Sequence, residues 1–201
     1  MKSHVDKIRD FINGSDKYEY TFVALKPNAF DLISIEVVME IITENNLKVV
    51  WHGPAIYTPE NVKKHYKEIY DAAMADPNSK YHDILIFLLE YLTSGPIYGL
   101  VITGHMKDVV KFTKQLAGAT KNPAPGTMRY NLAKRKGIEY DKDKNGIHAS
   151  GEVDEARREL ANFISAYYTN VSFTLEEAQQ AAKISDFIDH YKDCQEHTLE
   201  R

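Results

Sequence analysis

The order of predicted strands and helices restricts the folds open to this chain more than any other feature. Strands are predicted where aromatic and β-branched residues or apolar runs occur, at 18–26, 47–57, 97–103 and 145–149. Apolar residues at helical spacing predict helices at 34–45, 58–70, 81–92, 106–117 and 152–164. Without its helical insertions, the order strand, helix, strand, strand, helix, strand is that of a split βαβ sandwich. The sequence therefore predicts an α+β, ferredoxin-like fold in which helices cover a four-stranded antiparallel sheet.

Two helical segments are predicted outside this central region. An amphipathic face over residues 3–13 predicts a short helix, and a capping box at 174–177 opens a last helix. We therefore expect an N-terminal helical extension at 1–17, a central domain at 18–168 and a C-terminal helical extension at 169–201.

The composition is that of an ordinary globular protein. Hydrophobic residues make up 43% of the 201 residues, charged residues 27%, and the net charge is −4, so no overall basic surface favours nucleic acid or an anionic membrane. No apolar run reaches the roughly 20 residues that span a bilayer, and the first residues do not resemble a signal peptide. The single cysteine, Cys194, excludes an internal disulfide and fits a reducing compartment. We expect a cytoplasmic protein with no membrane partner and no specific nucleic-acid partner.

Residues 118–144 have little periodicity and are predicted to form a long loop. Loops of that length inside a compact domain are usually functional or disordered. For its charged second half, residues 134–144, we predict a solvated hairpin or a mobile flap. Asp141 and Asp143 alternate with lysines there and lack the rest of an EF-hand pattern, so this segment is not predicted to bind a metal.

The stretch Asn145-Gly-Ile-His-Ala-Ser150 places a histidine next to small residues. A predicted helix follows it, and the free N–H groups at a helix start favour anions. An ordinary polar residue at a strand end would look the same in so short a stretch. Other parts of the chain must therefore decide what His148 does.

Six short segments, this stretch among them, carry motifs that belong together. They are Thr21–Asn28, His65-Tyr66, Ser94–Pro96, Leu116–Thr120, Pro125–Arg129 and Asn145–Ser150. In this order they resemble nucleoside diphosphate kinases, over about residues 19–165. Enzymes of this family move the terminal phosphoryl group from a nucleoside triphosphate to a nucleoside diphosphate through a phosphohistidine. The resemblance therefore implies a phosphotransferase whose partners are nucleoside di- and triphosphates.

The resemblance also implies catalytic roles. His148 would be the nucleophile, which suits an imidazole because a pKa of about 6.5 leaves much of it unprotonated at neutral pH. Glu159 would hydrogen-bond to the imidazole nitrogen that does not attack, and Ser150 would cap the following helix and support this arrangement. Lys26 would meet the phosphate and a ribose hydroxyl, and Tyr66 would hydrogen-bond near the histidine.

The nucleotide contacts follow from the same resemblance. Thr120 and Arg129 would hold the β- and γ-phosphates, because a guanidinium fork can bind two oxygens. Asn145 would bind ribose hydroxyls, and Ile84 and Leu88 would flank the base.

Each polar residue in this set also has a purely structural explanation. The alternatives are a solvated charge for Lys26, core packing for Tyr66, a surface ion pair for Arg129, a turn position for Asn145 and an exposed helix position for Glu159. The residue types alone leave these alternatives open.

Departures from the family pattern fall on the nucleotide site. Lys114 stands where the family usually has arginine, which keeps the charge but loses the bidentate fork. The phenylalanine that usually stacks on the base falls near Ile84, and Tyr81 is a candidate substitute. Ala149 and Gly151 replace the usual glycine and aspartate. These departures support a second hypothesis, a nucleotide-binding regulatory or interaction protein with weakened turnover.

A third hypothesis, an RNA-recognition sheet, is opposed by the negative net charge and by the lack of an aromatic RNP motif. For a kinase we expect Mg²⁺ to be carried by the nucleotide's phosphates, with few or no direct protein ligands. Base selectivity should be broad, because stacking discriminates poorly between bases. Since the family assembles from dimers, we also expect a homo-oligomer.

Overall fold

One four-stranded antiparallel sheet forms the centre of the protein. The structure, a computed structural model, describes residues 2–169 and 172–199, with side chains as far as Lys192, so the side chain of Cys194 lies outside the described residues. The strands are β1 (Thr21–Leu25), β2 (Lys48–Ala55), β3 (Ile97–Thr103) and β4 (Ile147–Ala149). Their order is β2-β3-β1-β4, and neighbouring strands run antiparallel. The predicted ferredoxin-like sandwich is confirmed.

Helices cover both faces of this sheet. They are α1 (His4–Ile12), α2 (Leu32–Glu44), α3 (Pro59–His65), α4 (Lys67–Ala75), α5 (Lys80–Leu92), α6 (Val109–Ala117), α7 (Met128–Lys136), α8 (Val153–Tyr168) and α9 (Leu175–Leu199). Val23 and Leu25 of β1 pack toward α2, α7 and α9, whereas Phe22 and Ala24 pack toward α1, α3, α5 and α8. Because alternate side chains point to opposite faces, β1 is buried on both sides. Lys26 is the next residue after this buried strand, so the packing of β1 fixes the position of its backbone.

The predictions of one long loop over 118–144 and of one helix over 58–70 are wrong. Residues 118–144 are not one long loop, because α7 forms within them. Only Met128, Leu132 and Ala133 are apolar and buried in this basic helix, too few to give a visible period. The helix predicted over 58–70 is broken at Tyr66, where a backbone φ of −102° and ψ of 48° separate α3 from α4. α3 and α4 both place apolar side chains in the same core. The apolar residues therefore keep a helical spacing across the break, and the sequence does not show it.

Of the two forms predicted for the segment after α7, a hairpin or a mobile flap, the hairpin is wrong, because the segment is an irregular loop. Residues 137–146, all of which the structure describes, contain no strand. The carboxylate of Asp141 accepts the N–H groups of Asp143 and Lys144 at 2.8 and 3.1 Å. The Tyr140 hydroxyl donates to the carbonyl of Thr120 at 3.0 Å. The Asp141 bonds hold the loop's own backbone, and the Tyr140 bond ties the loop to the segment that follows α6.

Both predicted terminal helices are present. Ser3 Oγ accepts the N–H of Asp6 at 3.2 Å at the start of α1, which packs against α8. The predicted capping box of Thr174 and Glu177 opens α9, which lies on α2 and β2 and buries Ile184 there. Within the described ranges, no helix is both long enough and apolar enough to cross a membrane.

Candidate active site

A cavity of about 910 Å³ opens beside the end of β1. Its walls come from α4, α5 and α8, and from α6, α7 and the loop before β4. Most of the site residues predicted from the sequence line this cavity. Of the predicted residues, Glu159 lies behind His148, and Ser150 and Tyr81 are not among the lining residues. The fold thus gathers residues from both halves of the chain into one site.

His148 lies on β4 opposite Ala24 of β1 and is held by a buried carboxylate. Its Nε2 lies 2.8 Å from Oε2 of Glu159, and the Ser150 hydroxyl donates to the same oxygen at 2.5 Å. Because a carboxylate accepts, Nε2 carries the proton and Nδ1 keeps its lone pair. The Tyr66 hydroxyl lies 3.5 Å from Nδ1. This is the tautomer that attack through Nδ1 requires.

The charges around His148 favour a neutral imidazole. Burial lowers the pKa of His148 well below its ordinary value, and the neighbouring cations Lys114, Lys26 and Arg129 lower it further. An unprotonated imidazole beside three cations has the chemistry to act on a polyanion without a separate base.

Lys26 follows β1 directly and is almost completely buried. Its Nζ donates to Asn145 Oδ1 at 3.0 Å, and among the described residues no carboxylate pairs with it. Burial, together with repulsion from Arg129 and Lys114, lowers the pKa of Lys26 to about 7. A buried ammonium without a counter-charge is unfavourable, so a bound phosphate would supply the negative charge that this position lacks.

Arg129 and Lys114 each donate to the backbone of β4. Arg129 Nε and Nη2 donate to the carbonyl of Ile147 at 3.1 and 2.8 Å, and Nη1 donates to the carbonyl of Gly118. Lys114 Nζ donates to the carbonyl of Ala149 at 2.6 Å. Both side chains keep further N–H groups for a ligand. Arg129 is buried rather than part of a surface ion pair, and it reaches the site from α7.

Comparisons with known proteins agree with this geometry. A family model described as Nucleoside diphosphate kinase matches residues 19–168. The chain belongs to the nucleoside diphosphate kinase family. It is therefore a nucleotide-binding phosphotransferase, a nucleoside diphosphate kinase.

Individual relatives support this assignment. Over 146 residues the chain is 32% identical to the nucleoside diphosphate kinase of Methanosarcina mazei, covering 71% of this chain and 85% of that protein. It is 34% identical over 146 residues to that of Eremothecium gossypii, covering 71% of this chain and 83% of that protein. The crystal structure of the apo enzyme from Encephalitozoon cuniculi is similar, with a TM-score of 0.57 and 25% identity, covering 79% of this chain and 97% of that one.

The wall that α5 contributes to the cavity of this kinase differs from the prediction in one aromatic residue. Ile84 and Leu88 of α5 line the cavity, and Phe87 lines it beside them. Tyr81, the candidate substitute for the family's phenylalanine, is not among the described residues that line it. The i, i+3, i+4 spacing of residues 84, 87 and 88 would have identified Phe87.

Ser150 supports the histidine of the kinase in a different way from the predicted helix cap. The N-cap of α8 is Glu152, which forms a capping box with Glu155. Ser150 instead donates to Glu159. Gly151, which stands where the family usually has aspartate, donates its N–H to Glu155.

His65 lies in one of the six motif segments, but no role in the site was predicted for it from the sequence. Its Nε2 lies 3.4 Å from Glu159 Oε1, and its ring centroid lies 4.5 Å from that of His148. In the part of the chain that the structure describes, these three residues are the one group of three potential metal ligands close enough to share an ion. Mg²⁺ prefers oxygen ligands, so a cluster with two imidazoles does not fit the cofactor expected of the family.

Proposed function

We propose that this kinase works in two half-reactions through a phosphohistidine at His148. The nucleoside triphosphate gives its terminal phosphoryl group to the enzyme, which passes it to a nucleoside diphosphate. The hydrogen bond from His148 Nε2 to Glu159 carries the proposal, because it leaves Nδ1 unprotonated at the cavity.

Each half-reaction exchanges one bond to phosphorus for another. The Nδ1 lone pair attacks the terminal phosphorus, the bond from that phosphorus to its bridging oxygen breaks, and the nucleoside diphosphate leaves with the electron pair. A terminal oxygen of a second diphosphate then attacks the phosphohistidine and releases the imidazole. Lys26, Lys114 and Arg129 would stabilise the negative charge on the phosphoryl oxygens, since all three line the cavity with His148.

The nucleotide is proposed to lie across the cavity from these cations to α5. Thr120 and Arg129 would contact the phosphates, and Asn145 the ribose. The base would pack on the apolar wall that Phe87 and Leu88 provide, which suits all bases. Mg²⁺ would be bound through the substrate's phosphate oxygens, where it neutralises charge.

Incubation with Mg-ATP labelled in its terminal phosphate tests the phosphohistidine. We expect label on the protein that is labile to acid and stable to base, and that unlabelled nucleoside diphosphate removes as triphosphate. An acid-stable phosphoester would overturn the histidine mechanism. Product that acquires label while the protein never carries it would overturn the two-step route.

Lys114→Ala should lower turnover by about 10–100-fold, on the order of 1.4–2.7 kcal/mol in barrier. The cavity then lacks one of its cations. Lys114→Arg should raise turnover, because a fork aligns two oxygens where an ammonium is a point charge. Steady-state kinetics measure both effects, and Lys111→Ala, an exposed position on the same helix, should change rates less than about twofold. Unchanged rates in Lys114→Ala would remove this residue from the site.

A nucleotide-binding protein with weakened turnover is the second candidate. The lysine at position 114, where the family usually has arginine, favours it. This candidate predicts that the protein binds nucleotide but has a low kcat at saturating substrate. The same steady-state assays measure kcat and so distinguish it from an efficient kinase.

We also propose that the enzyme is a cytoplasmic homo-oligomer. The family's assembly from dimers motivates the oligomer, and the single cysteine with an ordinary composition motivates the compartment. Light scattering on the purified protein tests the assembly, and a monomer at micromolar concentration would contradict it.

A further inference from the structure

His65 is held between a tyrosine hydroxyl and the carboxylate behind the catalytic histidine. Tyr57 Oη lies 3.1 Å from His65 Nδ1, and His65 Nε2 lies 3.4 Å from Glu159 Oε1. Burial lowers the pKa of His65 to about 3, so the ring is neutral and carries one proton. That proton belongs on Nε2, because the carboxylate only accepts. Nδ1 then accepts from the hydroxyl of Tyr57, whose pKa burial raises well above its ordinary value.

The second oxygen of Glu159 depends on this ring. Oε2 accepts from His148 and Ser150. Oε1 is also buried, and within the described residues it makes no hydrogen bond of normal geometry. A buried carboxylate oxygen without a donor is destabilising, so even the long contact to the N–H of His65 helps to keep Glu159 ionised.

We propose that His65, oriented by Tyr57, is a positioning residue that keeps Glu159 ionised and turned toward His148. The proposal rests on the phosphohistidine route. A carboxylate that lost this support would take up a proton more readily and would then donate to Nε2 of His148. The single proton of the neutral imidazole would move to Nδ1, which removes the lone pair that attacks phosphorus.

This arrangement has a consequence for pH dependence. Burial raises the pKa of Glu159, and the contact with His65 opposes that rise. The other titratable or charged groups around Glu159 are His148, Arg158, Glu155, Lys114, Tyr57 and Tyr66, and Ser150 is its neutral hydrogen-bond donor. These groups remain when His65 alone is replaced. The fall of kcat at low pH, its acid limb, should follow the protonation of Glu159. If this fall moves to higher pH in a His65 variant, it therefore reports the loss of the His65 contact.

His65→Leu keeps most of the side-chain volume and removes the N–H. We expect kcat to fall by about 10–100-fold with KM within about twofold, and the acid limb of kcat to move to higher pH. His65→Gln should keep most of the native kcat, because its amide N–H can donate to Glu159 from a similar position. Tyr57→Phe is a milder change that tests the proposal if His65→Leu does not fold. It should lower kcat by about threefold and also move the acid limb of kcat to higher pH. Tyr20→Phe removes another buried tyrosine hydroxyl and should alter neither quantity.

Nitrogen NMR of His148 without nucleotide separates this proposal from the phosphohistidine route. The native enzyme should carry the proton on Nε2, and His65→Leu should populate the other tautomer. Unchanged kcat, acid limb and tautomer in both His65→Leu and Tyr57→Phe would overturn the positioning role, even in an enzyme that forms phosphohistidine. A tautomer shift in an enzyme that never becomes phosphorylated would support the positioning role and overturn the route.

Discussion

Alanine in place of His148 is expected to lower turnover by at least about 10⁴-fold, on the order of 5.4 kcal/mol in barrier. The substitution removes the imidazole that is proposed to form the covalent intermediate, and neither Glu159 nor Tyr66 can replace it. Glu159 is fully buried behind the histidine, and burial raises the pKa of Tyr66 so far that its hydroxyl stays protonated. Steady-state kinetics with ATP and a diphosphate acceptor measure the loss.

Nucleotide binding should survive the loss of His148. The cations of the cavity remain, so calorimetry should give an ADP affinity within about threefold of the native value, while labelled ATP leaves no phosphate on the protein. His52→Gln is the matched control, because His52 lies on β2 against Tyr98 and Asp189 and does not line the cavity. Near-native turnover in His148→Ala would refute its assignment as the nucleophile.

The sheet could be predicted because its strands carry strong local signals. β1 and β3 are buried on both faces and appear in the sequence as apolar runs. β4 is short and lies within the motif Asn145–Ser150. The strand predicted over 18–26 begins too early. The Glu19 carboxylate accepts the N–H of Val110 at 2.9 Å, so this residue is used to anchor α6 rather than to extend the ladder.

Site residues could be predicted where the family resemblance supplied their role. A residue whose role comes only from a contact in the folded protein could not be predicted. Lys26 directly follows β1, His148 lies on the neighbouring strand β4, and their motifs are local enough to be recognised. The role proposed for His65 depends on Glu159, which comes from a distant helix, so no spacing in the sequence reveals it. Phe87 was missed for another reason: the resemblance placed the family's phenylalanine near Ile84, and the sequence does not show which side of α5 faces the cavity.

Methionine in place of Lys26 is expected to remove most activity and to stabilise the fold. The value of kcat/KM should fall by about 10²–10³-fold, on the order of 2.7–4.1 kcal/mol, because the phosphates lose a buried cation. The free energy of unfolding at pH 7 should rise by about 1–3 kcal/mol, because an apolar side chain of similar length replaces a buried amine without a carboxylate partner. Kinetics and denaturant unfolding measure the two effects. A variant that is less stable and fully active would contradict both expectations.

The pH dependence of the same variant distinguishes a buried phosphate-binding lysine from a solvated one. The pKa of Lys26 is about 7 in the folded protein against an ordinary 10.5, so between these values the unfolded chain binds more protons and stability rises with pH. The stability advantage of Lys26→Met should therefore be largest below pH 7 and shrink toward pH 10.5. A bound phosphate favours the ammonium, so the diphosphate affinity of the native enzyme should fall as pH rises above 7, more steeply than in Lys26→Met. Lys144→Met, at an exposed position in the loop before β4, should keep the native profile. Identical profiles for the native enzyme and Lys26→Met would mean that Lys26 titrates as a solvated amine outside the phosphate site.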